Sequence, residues 1–222
     1  MFYAIAIDGP SGSGKSTLAK SLSKELGFTY IDTGAIYRTV GLYAKRNGIS
    51  PKDEQALKEH FDNIKIKLAW VDGTQHIYLD EEDVSDKIRT PEISMYASDV
   101  SALPAVRAFL LDRQREFART GNVIMDGRDI GTVVLPEAHV KIFLKADNQQ
   151  RAKRRYEELI AKGEKVTYDE VLSDMNKRDA NDSGRKNAPC VPAEDAVFID
   201  NSGYTPEQTF KKALEIINEK IC

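Results

Sequence analysis

Gly9-Pro10-Ser11-Gly12-Ser13-Gly14-Lys15-Ser16 is a glycine-rich run that ends in a lysine and a hydroxyl residue, with Thr17 next. That spacing suits a loop whose backbone N–H groups wrap around nucleotide phosphates. The glycines allow close approach, and the loop opens onto a helix whose positive end faces the anion. Lys15 is placed to reach the β and γ oxygens, and the Ser16 hydroxyl to ligate Mg²⁺. The flanks fit. Phe2–Ile7 is a continuous apolar run of the kind that forms a strand buried on both faces, and Leu18, Leu22 and Leu26 recur at helical spacing behind the loop. By itself the loop leaves a kinase, a GTPase switch and an ATP-driven machine open. Asn176-Lys177-Arg178-Asp179 has the spacing of a guanine-reading N-K-x-D, but it follows the helical stripe Tyr168, Val171, Leu172 and Met175 where a strand is needed. The D-x-x-G from Asp200 to Gly203 comes after it, the reverse of GTPase order.

The second set of candidates is cationic. Asp126-Gly127-Arg128-Asp129 follows the apolar run Asn122–Met125, at the strand end where open α/β sheets bind ligands. Tyr37-Arg38 falls in the first turns of a helix, Arg151 and Arg155 are i, i+4 neighbours, and Arg178 and Arg185 are placed two turns apart on one face. Any one of these arginines would be ordinary on a solvated surface. Together they match phosphoryl transfer between two polyanions, which needs several fixed cations. His60, His76 and His139 are scattered and suit structural places. A phosphate-oxygen acceptor is already ionised at neutral pH and needs no general base, whereas a hydroxyl acceptor would gain from one. The arginine surplus favours a phosphate acceptor.

Alternating strands and helices must position these groups. Gly27 stops the first helix, Phe28–Ile31 reads as a strand, and Gly34–Asn47 as a helix closed by Gly48. Ser50-Pro51 predicts a capped helix to about His60. From Ile64 the period becomes that of a strand (Ile64, Ile66, Leu68, Trp70), Asp72-Gly73 signals a hairpin, and Gln75–Leu79 runs back. Residues 51–100 hold 12 acidic and 6 basic side chains, a local charge of −6. Residues 62–100 read as an antiparallel insertion. Pro104 opens a helix with Val106, Phe109, Leu110, Arg113 and Phe117 on one side, and Val140–Leu144 is a further strand. Asn148–Ala161 and Thr167–Asn181 are helices parted by a break at Gly163. Ala196–Ile199 is the last strand, and Thr205-Pro206-Glu207-Gln208 caps a final helix carrying Phe210, Leu214, Ile217 and Ile221. The pattern is α/β with a parallel sheet.

The chain has 222 residues, 32 Lys+Arg against 35 Asp+Glu and a formal charge of −3, a balance unlike that of a dedicated nucleic-acid binder. Two cysteines, Cys190 and Cys222, are too few and too far apart for a zinc site or a disulfide framework. The apolar N-terminal run is too short for a signal peptide, and no stretch approaches a membrane span. These features predict a soluble cytoplasmic protein with no membrane or nucleic-acid partner, and nothing marks an interface, so a monomer is expected.

GPSGSGKST, DTGAIYR (Asp32–Arg38), DGRDIGTVV (Asp126–Val134), RAKRR (Arg151–Arg155) and KRDANDSGR (Lys177–Arg185) resemble the bacterial cytidylate kinases, nearly end to end. The DGRD-x-GTVV motif is far more specific than the phosphate loop. The resemblance implies a P-loop nucleoside monophosphate kinase fold, with a five-stranded parallel sheet in order 2-3-1-4-5 and helices on both faces. It implies one kinase domain over residues 1–222. Its core would be 1–61, 101–150 and 171–222, its antiparallel monophosphate-binding insertion 62–100, and its helical lid about 151–170. It also implies transfer from ATP to CMP or dCMP, with Mg²⁺, in pyrimidine nucleotide metabolism. By resemblance, Lys15, Arg128, Arg155 and Arg185 would be catalytic. Gly9 to Thr17 would bind ATP, with Arg151 covering adenine and Arg155 bridging phosphates as the lid closes. Arg38, Arg128 and Arg185 would hold the acceptor phosphate; Ser98, Arg107 and Asp129 would read cytosine; Arg178 and Asp182 would reach the ribose. Thr33 stands where serine is expected and keeps the hydroxyl, and Tyr37 joins the CMP side.

Two alternatives remain. A small-molecule kinase of the same fold for UMP, AMP or shikimate is the nearer. A P-loop ATPase switch with a macromolecular partner is the more distant, and no basic stripe or spare domain favours it.

Overall fold

Ile5, Ala6 and Ile7 are fully buried in the computed structural model, which places β1 (Ala4–Asp8) at the centre of a sheet. Residues 2–71 and 73–221 are described. β1 pairs in parallel with β6 (Val123–Gly127) on one side and β7 (Val140–Lys145) on the other; β2 (Thr29–Asp32) lies beyond β6, and β8 (Val197–Asp200) beyond β7. Counted among the five parallel strands, the order is 2-3-1-4-5, as the resemblance implies. With helices on both faces, the apolar runs face protein on either side, which is why they read as continuous and not alternating.

One face of the sheet packs α1 (Lys15–Leu26) and α8 (Pro206–Ile221) through Leu18, Leu22, Ala213 and Ile217. The buried stripe of α8 is Thr209, Ala213, Ile216 and Ile217, turned slightly from the expected one; Phe210, Leu214 and Ile221 are only partly buried. Thr205 and Gln208 do cap it reciprocally. The other face packs α2 (Thr33–Arg46) and α5 (Pro104–Phe117), whose Val106 and Leu110 are fully buried.

The expected helix from Ser50-Pro51 is shorter. α3 covers only Glu54–Glu59, because the Asp53 carboxylate takes the Ala56 N–H and displaces Ser50 as the cap. The insertion is antiparallel only in part. β3 (Ile66–Val71), β4 (Thr74–Leu79) and the short β5 (Glu82–Asp83) form a separate antiparallel sheet, but Pro91–Ser101 is a helix, α4. Its signal is Thr90, which caps the Ile93 N–H, with Pro91 at the first helical position. The hairpin expected at Asp72-Gly73 joins β3 and β4 as anticipated, although Asp72, like Cys222, lies outside the described residues.

α6 (Asn148–Ala161) and α7 (Tyr168–Ser183) match the expected helices and flank Gly163, which sits at φ 80°. α7 ends before Arg185, so Arg178 and Arg185 do not share a helix face; the chain turns at Gly184 and brings Arg185 Nε onto the Asp182 carbonyl at 3.2 Å.

Candidate functional site

The phosphate loop spans the turn from β1 to α1. Gly9 adopts φ 145°, and a Cβ there would run into the Leu144 carbonyl of the neighbouring strand, so only glycine fits. Gly14, also at positive φ, opens α1. The loop is held from distant parts of the chain: Asn201 Nδ2 donates to the Ser13 carbonyl at 3.0 Å, and Arg151 Nη1 donates to the Ser11 carbonyl at 2.7 Å. Asp179 accepts from the Ser11 N–H at 3.2 Å and from Arg151 at 2.7 Å. Lys15 folds back over the loop, its Nζ donating to the Pro10 carbonyl at 2.6 Å and to Ser13 Oγ at 3.3 Å. Burial, and then the nearby Arg128 guanidinium, bring its ammonium down to about 7.

A cleft of about 510 Å³ runs from this loop to the helices of the insertion. At its donor end Ser16 Oγ donates to Asp126 Oδ2 at 2.8 Å. Asp126 is the penultimate residue of β6, and burial together with the Asp32 carboxylate pushes its pKa up. A hydroxyl and a carboxylate side by side are hard oxygen donors. Two such groups beside a phosphate loop fit Mg²⁺, which is held by one or two protein oxygens together with substrate phosphates.

The acceptor end is cationic. Arg38 pairs with Asp32 at 2.8 Å, and Arg128 with Asp182 at 2.8 Å. Arg185 Nη1 reaches the Ser101 carbonyl and hydroxyl at 3.2 and 3.1 Å. Arg38 Nε, Arg178 Nε and Arg185 Nη2 are buried without a hydrogen-bond partner, as is Ser98 Oγ. Burial and the neighbouring Arg128 bring Arg178 down to about 10, and burial lowers Arg185 as well. A cleft end lined by Arg38, Arg128, Arg178 and Arg185 suits an anionic ligand. Beside them Arg107 and Asp129 form a buried ion pair, with the Arg107 guanidinium 5.5 Å from the centre of the Tyr37 ring.

The fold thus brings together Lys15, Ser16, Thr17, Thr33, Tyr37, Arg38, Ser98, Arg107, Arg128, Asp129, Arg155, Arg178, Asp182 and Arg185 as lining of one cleft. Thr33 uses its hydroxyl on the Asp126 carbonyl at 2.8 Å. Arg155 lines the cleft with its Nη1 on Glu158 at 2.8 Å. Arg151 stands apart: it is 6% exposed, and its guanidinium bonds to Ser11, Ala146, Asn148 and Asp179. The histidines lie elsewhere, His60 on Tyr43, His76 on Asp83 and His139 on the Ala4 N–H.

Several residues carry no sequence expectation. Asp126 falls in the Asp126–Asp129 cluster, but the sequence assigns it no part in holding a metal; its signal is a carboxylate near the end of a buried strand. Asp8 accepts from the Ile130 and Gly131 N–H groups at 2.8 Å each and so anchors the turn that follows Arg128-Asp129. Burial raises its pKa to about 6, although those two N–H groups pull the other way. Nothing local in the sequence points Asn201 or Asp179 at the phosphate loop that they bind.

A phosphate loop between a parallel strand and a helix, opposite a basket of arginines, defines the P-loop kinase class. The sequence model described as cytidylate kinase matches residues 5–219, and the chain belongs to that family. A cytidylate kinase of Caldicellulosiruptor bescii is 51% identical over 212 residues, covering 96% of this chain and 94% of the relative. One from Carboxydothermus hydrogenoformans is 50% identical over 216 residues, with 97% of each chain covered. A solved structure of a protein from Eubacterium ventriosum, 13% identical, covers 99% of both chains at a TM-score of 0.52, a likeness of fold alone.

Proposed function

We propose that the protein transfers the γ-phosphoryl group of ATP to CMP or dCMP, giving ADP and CDP or dCDP. The observation that carries this reading is the set of arginines, Arg38, Arg128, Arg178 and Arg185, that line the same cleft as Lys15 and Ser16. Two phosphate-binding ends in one cleft suit a phosphoryl donor and a phosphate acceptor.

The backbone of residues 9–17 cradles the ATP phosphates, and Lys15 leaves the Pro10 carbonyl to meet charge developing between β- and γ-phosphates. Ser16 and Asp126 would hold Mg²⁺, which supplies charge neutralisation on the β and γ oxygens. Arg38, Arg128 and Arg185 grip the CMP phosphate in line with the γ-phosphorus. The acceptor oxygen is ionised, so no base is required. Arg107, Asp129 and Ser98 meet the cytosine edge. The Asp129 carboxylate accepts from the N4 amino group, and it would oppose the O4 of uracil with lone pair against lone pair. Arg178 and Asp182 reach the ribose. Arg151, whose guanidinium is taken up by Ser11, Ala146, Asn148 and Asp179, would act on ATP through the shape of the phosphate loop and not by covering adenine. Arg155 would move onto the phosphates when the helical pair closes, which keeps water from receiving the phosphoryl group. Action in the cytoplasm as a monomer is part of the same proposal.

ADP release from ATP–Mg²⁺, measured across CMP, dCMP, UMP, AMP and GMP, tests it. CMP and dCMP should be the preferred acceptors, with near silence when no acceptor is added. Faster turnover with AMP or UMP, or rapid ATP hydrolysis alone, would overturn it.

A further inference from the structure

Both oxygens of Asp126 are in use. Oδ2 accepts from Ser16 Oγ at 2.8 Å, and Oδ1 accepts from the Tyr30 phenol at 2.9 Å. Tyr30 is 5% exposed and is not among the residues lining the cleft, so its hydroxyl faces the carboxylate and no substrate. A carboxylate held by one hydrogen bond can still rotate about its last side-chain torsion, which is broad. A donor on each oxygen fixes that torsion, and with it the direction in which Oδ2 presents its remaining lone pair.

Tyr30 is well placed to act as the fixed partner. Its backbone is in β2, in register with Ile124 of β6, two residues before Asp126. Its carbonyl accepts from Trp70 Nε1 at 3.2 Å, so the β3–β4 hairpin braces it from outside the sheet. Gln75 of the same hairpin accepts from the Asp32 N–H at 2.8 Å, two residues further along β2.

We propose that Tyr30 is a positioning residue for the oxygen pair that holds the metal, acting through Asp126 and touching neither nucleotide. The proposal rests on the reading of Ser16 and Asp126 as the Mg²⁺ ligands. Loss of the phenol leaves Asp126 free to turn its Oδ1 toward Ser16 or solvent, and the metal site loses its preset geometry.

The experiment measures ATP affinity with and without Mg²⁺ by calorimetry, taking the ratio of the two dissociation constants as the metal coupling. Tyr30→Phe keeps the ring and removes only the donor. It should lower that coupling by about tenfold, the low end for the outer partner of a metal ligand, while metal-free ATP affinity stays within about twofold. Tyr43→Phe removes a comparable phenol bond, to His60 at 2.9 Å outside the cleft, and should leave both values at wild type. Electron paramagnetic resonance of Mn²⁺ with a non-hydrolysable ATP analogue should show a weaker, more heterogeneous site in Tyr30→Phe alone. The proposal is overturned if Tyr30→Phe retains wild-type coupling, or if metal-free ATP affinity falls as far as Mg²⁺–ATP affinity. It is equally overturned if the wild type shows no coupling. CMP-dependent ADP release by that same wild type separates this outcome from a failure of the kinase reading.

Discussion

Arg151 of α6 and Asp179 of α7 meet at 2.7 Å, and between them they bind both backbone polar atoms of Ser11, the carbonyl through Arg151 and the N–H through Asp179. The two helices on either side of Gly163 are therefore tied to the phosphate loop at their inner ends, while their connection lies at the rim. Asp179 belongs to the N-K-R-D run that mimics a guanine-reading motif, and here its carboxylate is a loop fastener.

The proposed closure would swing the outer half of the helical pair about that anchored base. The distance between spin labels at Glu164 and Asp112 should shorten when a bisubstrate analogue saturates the protein, with Arg155 exchanging Glu158 for phosphate. An unchanged distance distribution at saturation would rule out closure.

Lys15→Met should lower kcat by about 3–4 kcal/mol of transition-state stabilisation while the chain still folds, since methionine fills the space without the charge. Single-turnover rates and a thermal melt check the two halves of this statement. A folded variant with near-normal kcat would contradict the assigned role of the phosphate loop.

Asp129 offers a test of base choice. Its pairing with Arg107 holds both groups at one face of the cleft beside Tyr37. Asp129→Ala should reduce the ratio of kcat/KM for CMP over UMP by at least about fivefold, the low end for a buried polar group left unpaired. If the ratio is unchanged, Asp129 serves only to orient neighbouring arginines.

Asp8 makes stability depend on pH in a definite direction. Its carboxyl sits at about 6 in the folded protein against 3.8 when unfolded, so between these values the folded chain binds more protons. The associated stability is complete below the unfolded value and is lost as pH rises through about 6, by about 3 kcal/mol in all. Asp8→Asn removes the titration. Its melting temperature relative to wild type should therefore climb between pH 4.5 and pH 7, as urea or thermal melts at matched pH would show. A difference that stays flat across that range would place the Asp8 carboxyl at its ordinary value.

The phosphate loop was legible in the sequence because its parts are contiguous: the glycines, the lysine and the hydroxyl lie within eight positions, and flanking apolar runs announce the strand and helix. α6 was legible to the residue because its stripe and breaks are local. α4 was hidden inside a segment whose acidity and preceding alternation suggested strands, although Thr90-Pro91 carried the cap. The groups that fasten the site were not legible at all. Tyr30 lies 96 positions from Asp126, Asp179 lies 168 from Ser11, and Asn201 lies 188 from Ser13. No periodicity encodes contacts at such separations, so only the folded topology brings these partners together.

The reach from Ser13 to Asn201 also bears on how the protein is made. A ribosome delivers the glycine-rich segment long before the asparagine that secures it, 188 positions later. Over that interval the segment has neither Asp179 nor Asn201 to shape it, β7 is still to be added beside β1, and β8 beyond β7. Until Asn201 has emerged the loop lacks two of its distant fasteners, so its finished shape is a late product of synthesis.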